Sequence, residues 1–236
     1  MFINLLKKIY YEKYSKKSYS ISSVDLVIDR LFSNKSTGIY LDVGCNHPIK
    51  YNNTYLLHKK GWSGINIDLD KKSIHEFNKM RKNDYNVQEL VGPVDGEEKE
   101  IYYYHERSAI NTISKVLADK RLKKPKKIIK KKTKSLNTII NNSPYFNKKI
   151  NFMSIDIENY EYEVLKNFNF GKYDIDLIVT ECVDVSQQKP ETHTQTLEYI
   201  VNTSLYKLLI YNNYKLINWV NSDLLFIKKN LDINAI

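Results

Sequence analysis

Glycine, proline and cysteine are all scarce in this chain, and each scarcity closes off a class of protein. Seven glycines and five prolines among 236 residues leave no room for a Gly/Pro linker, so residues 1–236 read as a single domain with one sizeable core. A hydrophobic content of 42% is ordinary for a globular chain, so disorder is not the default. Two cysteines, Cys45 and Cys182, do not make a disulfide framework, and a reduced, cytoplasmic compartment is the simpler account. No run approaches the ~18–20 apolar residues that span a bilayer. The opening Met1 to Tyr11 is too soon interrupted by lysine to read as a signal peptide. It reads as a segment packed on its own domain, with peripheral membrane or partner contact as the alternative.

A phosphate-binding loop is also missing. Gly44 is followed by Cys45-Asn46-His47-Pro48, with no second glycine and no Lys-Ser/Thr pair. Such loops hold phosphate on backbone N–H groups at a helix start, so a dinucleotide and ATP are both disfavoured. What is present is a short apolar strand, Tyr40 to Val43, carrying Asp42 and turning at Gly44, and a second, Gly64 to Ile67, ending in Asp68. A carboxylate at that second tip can accept hydrogen bonds from two ribose hydroxyls. The common adenosine ligand without phosphate is S-adenosylmethionine, although Asp-x-Gly alone also occurs in plain strand turns.

The formal net charge is +10, and much of it falls between Lys120 and Lys134. Such a block could grip a phosphate backbone, an anionic membrane or an acidic glycan. The preferred reading is a solvated helix end and edge strand, because lysine is abundant along the whole chain.

Val24, Val27, Ile28 and Leu31 share one helical face. Residues 1–35 therefore read as a helical extension to a core at 36–229. Strands are expected at Ile39 to Val43, Gly64 to Asp68, Val87 to Val91, Phe152 to Ile157 and Ile175 to Thr180. Helices are expected from Tyr55 to Gly61, Ser73 to Lys82 with Ser73 as cap, and Thr196 to Asn212. Asp95-Gly96 predicts a hairpin into Lys99 to Tyr104. The long stretch before the fourth strand, assigned to an insertion at 95–140 with a short helix around Leu136 to Ile140, is expected to cover substrate. Two late strands, Lys215 to Val220 and Leu224 to Lys228, close the chain. The alternation predicts an α/β fold with a mostly parallel, doubly wound sheet.

Taken jointly, Tyr40 to Gly44, Asn53 to Leu56, Lys60 to Asp68, Phe152-Met153-Ser154-Ile155-Asp156-Ile157-Glu158 and Glu163-Val164-Leu165 resemble the FkbM family of S-adenosylmethionine-dependent methyltransferases, in order from about Tyr40 to Lys228. The resemblance implies a Rossmann-like class I methyltransferase fold of seven strands with an antiparallel last strand. It also implies S-adenosyl-L-methionine as cofactor and O-methylation of a hydroxyl on a sugar, glycan or similar small polar metabolite. The chain departs from the family pattern at Asn159, where glycine usually follows Asp-hydrophobic-Glu. Asparagine tolerates left-handed backbone angles better than other non-glycine residues.

In an open α/β sheet the ligand sits outside the carboxyl ends of the strands. Asp42, Gly44, Asp68, Asp156, Glu158 and Glu181 all fall there. Asp68 is assigned to the ribose hydroxyls and Gly44 to close approach beneath the methionine part, with Asp42 orienting that loop and meeting the ligand ammonium, and Cys45 and Asn46 also assigned to the cofactor. Asn53 and Thr54 either cap the first crossover helix or hold the ligand carboxylate. Leu69, Val91 and Gly92 complete the cofactor side, the last two beside adenine. Asp156 is the first choice of base for an acceptor hydroxyl and Glu158 the second, with His105 and His47 as competitors. His105, Arg107, Asn111 and Glu181 are assigned to the acceptor, with Tyr102, Tyr103 and Tyr104 available for stacking. Asp156, Glu158 and Glu181 could also hold Mg²⁺, but the preferred reading is metal-free, and a His/Cys zinc pattern is absent.

One alternative is an RNA or other nucleic-acid methyltransferase with residues 120–134 as its phosphate track, although the Asn/Asp-Pro-Pro-aromatic pattern of base methylation is missing. Another is a non-catalytic module that retains the fold, against which the intact Asp42, Gly44 and Asp68 speak.

Overall fold

The computed structural model of the chain describes residues 15–184, 186 and 195–231. The stretch Met1 to Tyr11 lies outside them. Helix α1 (Val24–Leu31) leads into β1 (Ile39–Val43), α2 (Tyr55–Lys59), β2 (Ser63–Asp68), α3 (Lys71–Met80) and β3 (Tyr85–Gln88). Then come β4 (Leu90–Val91), β5 (Glu98–Tyr103), α4 (Lys115–Lys120), β6 (Lys127–Lys134) and α5 (Leu136–Asn141). The chain continues through β7 (Phe152–Ile155), α6 (Glu161–Leu165), β8 (Leu177–Glu181), α7 (Leu197–Asn202), α8 (Ser204–Tyr211), β9 (Tyr214–Val220) and β10 (Asp223–Lys228).

Seven strands form one sheet in the order β3-β2-β1-β7-β8-β10-β9. The first five pair in parallel, and β10 runs antiparallel to both its neighbours. Strand alternation divides the core between the two faces. Leu41, Val43, Met153, Ile155, Leu224 and Phe226 pack with α5, α6 and α8 on one side. Tyr40, Phe152, Leu177, Val179, Leu225 and Ile227 pack with Val24 and Ile28 of α1 and Leu57 of α2 on the other. Both faces are covered, so the ligand-accessible part of the sheet is its edge, where the parallel strands end. No helix among the described residues is long and apolar enough to cross a membrane.

Several boundaries differ from the sequence reading, each for a local reason. Helix α3 starts before Ser73, because the Asp70 carboxylate accepts from the Lys72 and Ser73 amides and is itself the cap. The single helix expected at Thr196 to Asn212 is two, α7 and α8. Thr203 breaks it with an extended backbone, and its hydroxyl caps α8 by accepting from the Tyr206 amide at 3.1 Å. Strand β7 ends at Ile155, where the Asp156 amide makes a last ladder bond to the Val43 carbonyl at 3.0 Å. Glu158 and Asn159 then take φ of 60° and 68°, so asparagine does adopt the left-handed turn at the family's glycine position.

The expected third strand is two pieces. Strand β3 stops at Gln88, and β4 leaves the main sheet for a second one of order β4-β6-β5. Asp95-Gly96 therefore joins strands that do not pair with each other, and the hairpin is not formed. The lysine-rich β6 is the central strand of this sheet rather than an edge. Its register explains how it is tolerated: Lys132 lies opposite Glu98 and Lys130 opposite Glu100, and Lys130 reaches Glu98 at 3.1 Å. Leu136, Ile139 and Ile140 of α5 return to the main core.

Candidate active site

The loop after β1 is held down on the end of β2. The Gly44 and Cys45 amides donate to the Ile67 carbonyl at 2.9 and 3.1 Å, and the Asn46 amide donates to Asp68 Oδ2 at 2.8 Å. Asp68 Oδ1 accepts from the Asp70 amide at 2.7 Å. Burial pushes the Asp68 carboxyl up to about 6, against the pull of those two amides. Gly44 has φ +81°, and a Cβ there would overlap the Asp156 carbonyl oxygen. Its missing side chain makes room for another loop of the protein.

Beneath this floor lies a buried polar network. Asp42 Oδ2 accepts from Thr54 Oγ1 at 2.7 Å and Asn52 Nδ2 at 3.0 Å. Arg81, 1% exposed, donates to Thr54 Oγ1 and Asn52 Oδ1, both at 2.7 Å, and to the Pro48 carbonyl. Burial raises the Asp42 carboxyl, opposed by the Arg81 charge and by the Thr54 and Asn52 bonds.

The segment after β5 closes the other side. The Arg107 amide donates to Asp70 Oδ2 at 2.8 Å, and its guanidinium pairs with Glu76 at 2.7 Å. Asn111 folds this turn by accepting from the Tyr104 amide at 2.8 Å and donating to the His105 carbonyl at 3.0 Å. Between these walls lies a cleft that is open to solvent. Ile67, Leu69, Leu90, Val91, Ile113 and Ile157 supply its apolar lining. Ser73 also lines it, and the Ser73 hydroxyl is buried with no hydrogen-bond partner.

Three carboxylates meet at the cleft, two of them lining it. Asp156, Glu158 and Glu181 each place an oxygen within 4.8 Å of the others, near enough to share one hard cation. Arg121 already pairs with Glu158, and Thr112 Oγ1 donates to the Glu158 carbonyl at 2.8 Å. Enclosure by the surrounding protein, and then the charges of Glu158 and Glu161, raise the Asp156 carboxyl well above the carboxylate range, even though its side chain is exposed. Burial and the Asp156 charge do the same to Glu181. Glu161, which accepts from the Ile157 amide at 2.8 Å, is pushed up to about 7, first by burial.

Of the residues singled out from sequence, Gly44, Asn46, Asp68, Leu69, Val91, Arg107, Asn111, Asp156 and Glu158 line this cleft. Others do not. Asp42 and Thr54 sit beneath it in the network of Arg81. Cys45 is buried against Ile74 and Phe77, and Cys45 and Cys182 are both free thiols. Thr54 makes no side-chain cap to α2, and Asn53 Nδ2 donates to Ser154 Oγ at 3.1 Å. The Gly92 amide bonds to the Lys134 carbonyl in the small sheet. His105 is exposed, with Nδ1 on the Glu106 carbonyl at 2.8 Å. Tyr102 and Tyr104 are buried with Ala118, which removes both from stacking on an acceptor. Sequence reasoning gave Ser73 only a capping role and passed over Asp70, Arg81, Arg121 and Glu161 as site residues. Only Asp70, two residues past a strand-end acid and ahead of a helical pattern, carried a usable cap signal.

No curated protein and no solved structure matches the chain. The family described as Methyltransferase FkbM domain matches residues 42–208, more than half the chain, and this span runs from the buried Asp42 through the cleft and all three carboxylates to α8. The chain belongs to the FkbM methyltransferase family.

Proposed function

We propose that this methyltransferase uses S-adenosyl-L-methionine, and that it methylates a hydroxyl of a sugar, glycan or similar small polar metabolite on a Rossmann-like class I scaffold. The observation that carries this reading is the cleft itself. It joins a strand-end carboxylate, Asp68, and an unpartnered buried hydroxyl, Ser73, to an apolar wall at Leu90 and Val91. That donor set fits a nucleoside without phosphate: among the described residues no lysine lines the cleft, and Arg107, which does, is already paired with Glu76. When bound, the cofactor supplies a methyl group on a positively charged sulfur. Asp68 keeps acceptor capacity beyond its two amide bonds and holds ribose hydroxyls. Val91 and Leu90 flank the base.

Asp156 is the base in this reading. Its raised pKa brings it closer to that of a group that can take a proton near neutral pH, and its side chain is open to the cleft. Glu158 is paired with Arg121 and steadies the loop. A metal is not part of the reading. Residues 107–113 form a wall of the cleft, which supports a covering role for the insertion.

Calorimetric titration with S-adenosylmethionine and S-adenosylhomocysteine tests the proposal. Wild type should bind both saturably. Asp68→Ala, losing about two hydrogen bonds to ribose, should bind at least about tenfold more weakly, whereas Asp156→Asn should bind nearly as wild type. Failure of the wild type to bind either compound would sink the reading.

A further inference from the structure

A second cavity opens on the other side of the loop between β7 and α6. It holds about 810 Å³ of atom-free space between that loop, the end of β8 and the junction of α7 with α8. The loop divides the two cavities: Asp156, Glu158 and Tyr160 line the first, while Asn159, Glu161 and Tyr162 line the second. Glu181 lines the second cavity, yet its carboxylate lies within 4.8 Å of Asp156 and Glu158. The carboxylate cluster therefore borders both. Glu181 Oε2 is shielded from solvent and receives no hydrogen bond. An acceptor oxygen left so is costly, and a ligand hydroxyl would satisfy it.

We infer that the second cavity binds the methyl acceptor, and that this acceptor is an uncharged polyhydroxylated ring such as a glycoside. The inference rests on the first cavity being the cofactor site. Tyr162, 37% exposed, offers a ring face for stacking, and the Asn159 and Asn202 amides can both donate and accept. The site offers an anion no counter-charge. Glu161 and Glu181 line the cavity, and no lysine or arginine is among the described residues lining it. A phosphorylated acceptor or a nucleic acid would leave water for a wall with no cation to pair its charge. The lysines between 120 and 134 line neither cavity.

The test is saturation-transfer NMR on protein saturated with S-adenosylhomocysteine. The probes are methyl glycosides of common hexoses and, separately, ribose 5-phosphate and an oligouridylate. At least one glycoside should bind, and Asn202→Trp, which fills the cavity, should weaken it by about tenfold or more. Tyr162→Ala should weaken the same glycoside, and both variants should bind S-adenosylhomocysteine as wild type does. The inference falls if no glycoside binds, if glycoside binding survives Asn202→Trp, or if the phosphorylated probes bind in preference. Failure of the first reading shows itself earlier, as absence of S-adenosylhomocysteine binding to wild type, and overturns both.

Discussion

Arg121, at the end of α4, forms an ion pair with Glu158, in the loop after β7, and both are largely withdrawn from water, at 5% and 16% side-chain exposure. The guanidinium also donates to the Ile110 carbonyl and lies over the Tyr104 ring, 5.7 Å from its centroid. The insertion thus reaches the carboxylate cluster through Arg121, beside the Thr112 hydroxyl that holds the Glu158 carbonyl.

Arg121→Met should destabilise the protein by about 2–4 kcal/mol, because it leaves Glu158 partly buried without its charge partner. Glu158→Gln in the same background should recover part of that loss. Urea denaturation of the two single variants and the double variant gives the coupling energy; strictly additive losses would mean the pair contributes nothing.

Two glycines with left-handed backbones separate strain from collision. Gly61 has φ +94° and nothing within 4 Å of a would-be Cβ, so Gly61→Ala should cost only about 1 kcal/mol. Gly44→Ala meets the Asp156 carbonyl as well and should cost more than about 3 kcal/mol. Thermal unfolding of both variants checks the ranking, and a similar loss in each would refute it.

The raised carboxyls set a pH dependence of stability. Asp68 at about 6 and Glu161 at about 7 bind protons more tightly folded than unfolded. Their contribution is therefore full below the ordinary carboxylate range and is lost as pH rises through 6 to 7. Asp156 and Glu181 act in the same sense, while His47 and His58, held low first by burial, act in the opposite one. Glu161→Gln keeps an oxygen for the Ile157 amide and should flatten the fall. Denaturant midpoints measured from pH 5 to pH 8, a range of about three units around these values, would expose an unchanged slope if the assignment is wrong.

Arg81 should be irreplaceable. Its fork satisfies Pro48, Asn52 and Thr54 at once, and Thr54 passes the bond on to Asp42. Arg81→Lys supplies a charge without the fork, so both it and Arg81→Met should lose about 3 kcal/mol or more. A lysine variant as stable as wild type, by urea denaturation, would refute the geometric role.

Much of this was readable in advance because it depended on local pattern. Strand β1 was bounded correctly and β2 to within one residue, since short, mostly apolar runs carrying an acid at or next to the tip leave little choice. Asp68 and Asp156 stood out for the same reason: each lies at or just past a strand end. The small sheet was hidden because β6 shows no apolar alternation, and Lys130 and Lys132 are matched by Glu100 and Glu98, far before them in sequence. Arg121 was lost inside a basic run that composition alone explained. Arg81 carried no signal, since its partners come from the loop between Pro48 and Thr54 and from Tyr40 and Asn66 on two different strands.

Thr133 ties β6 to β4 and to the turn that follows it. It pairs with Leu90, accepts from the Gly96 amide, donates its own amide to the Glu97 carbonyl at 2.9 Å, and places its hydroxyl 2.7 Å from the Val94 carbonyl. Strand β4 is separated from β3 by Glu89 alone. The natural unit of exchange is therefore residues 90–134, with α5 left behind in the core. A graft cut there would carry a closed piece of backbone pairing, whereas one begun at Asp95 would strand half a ladder on each side of the seam.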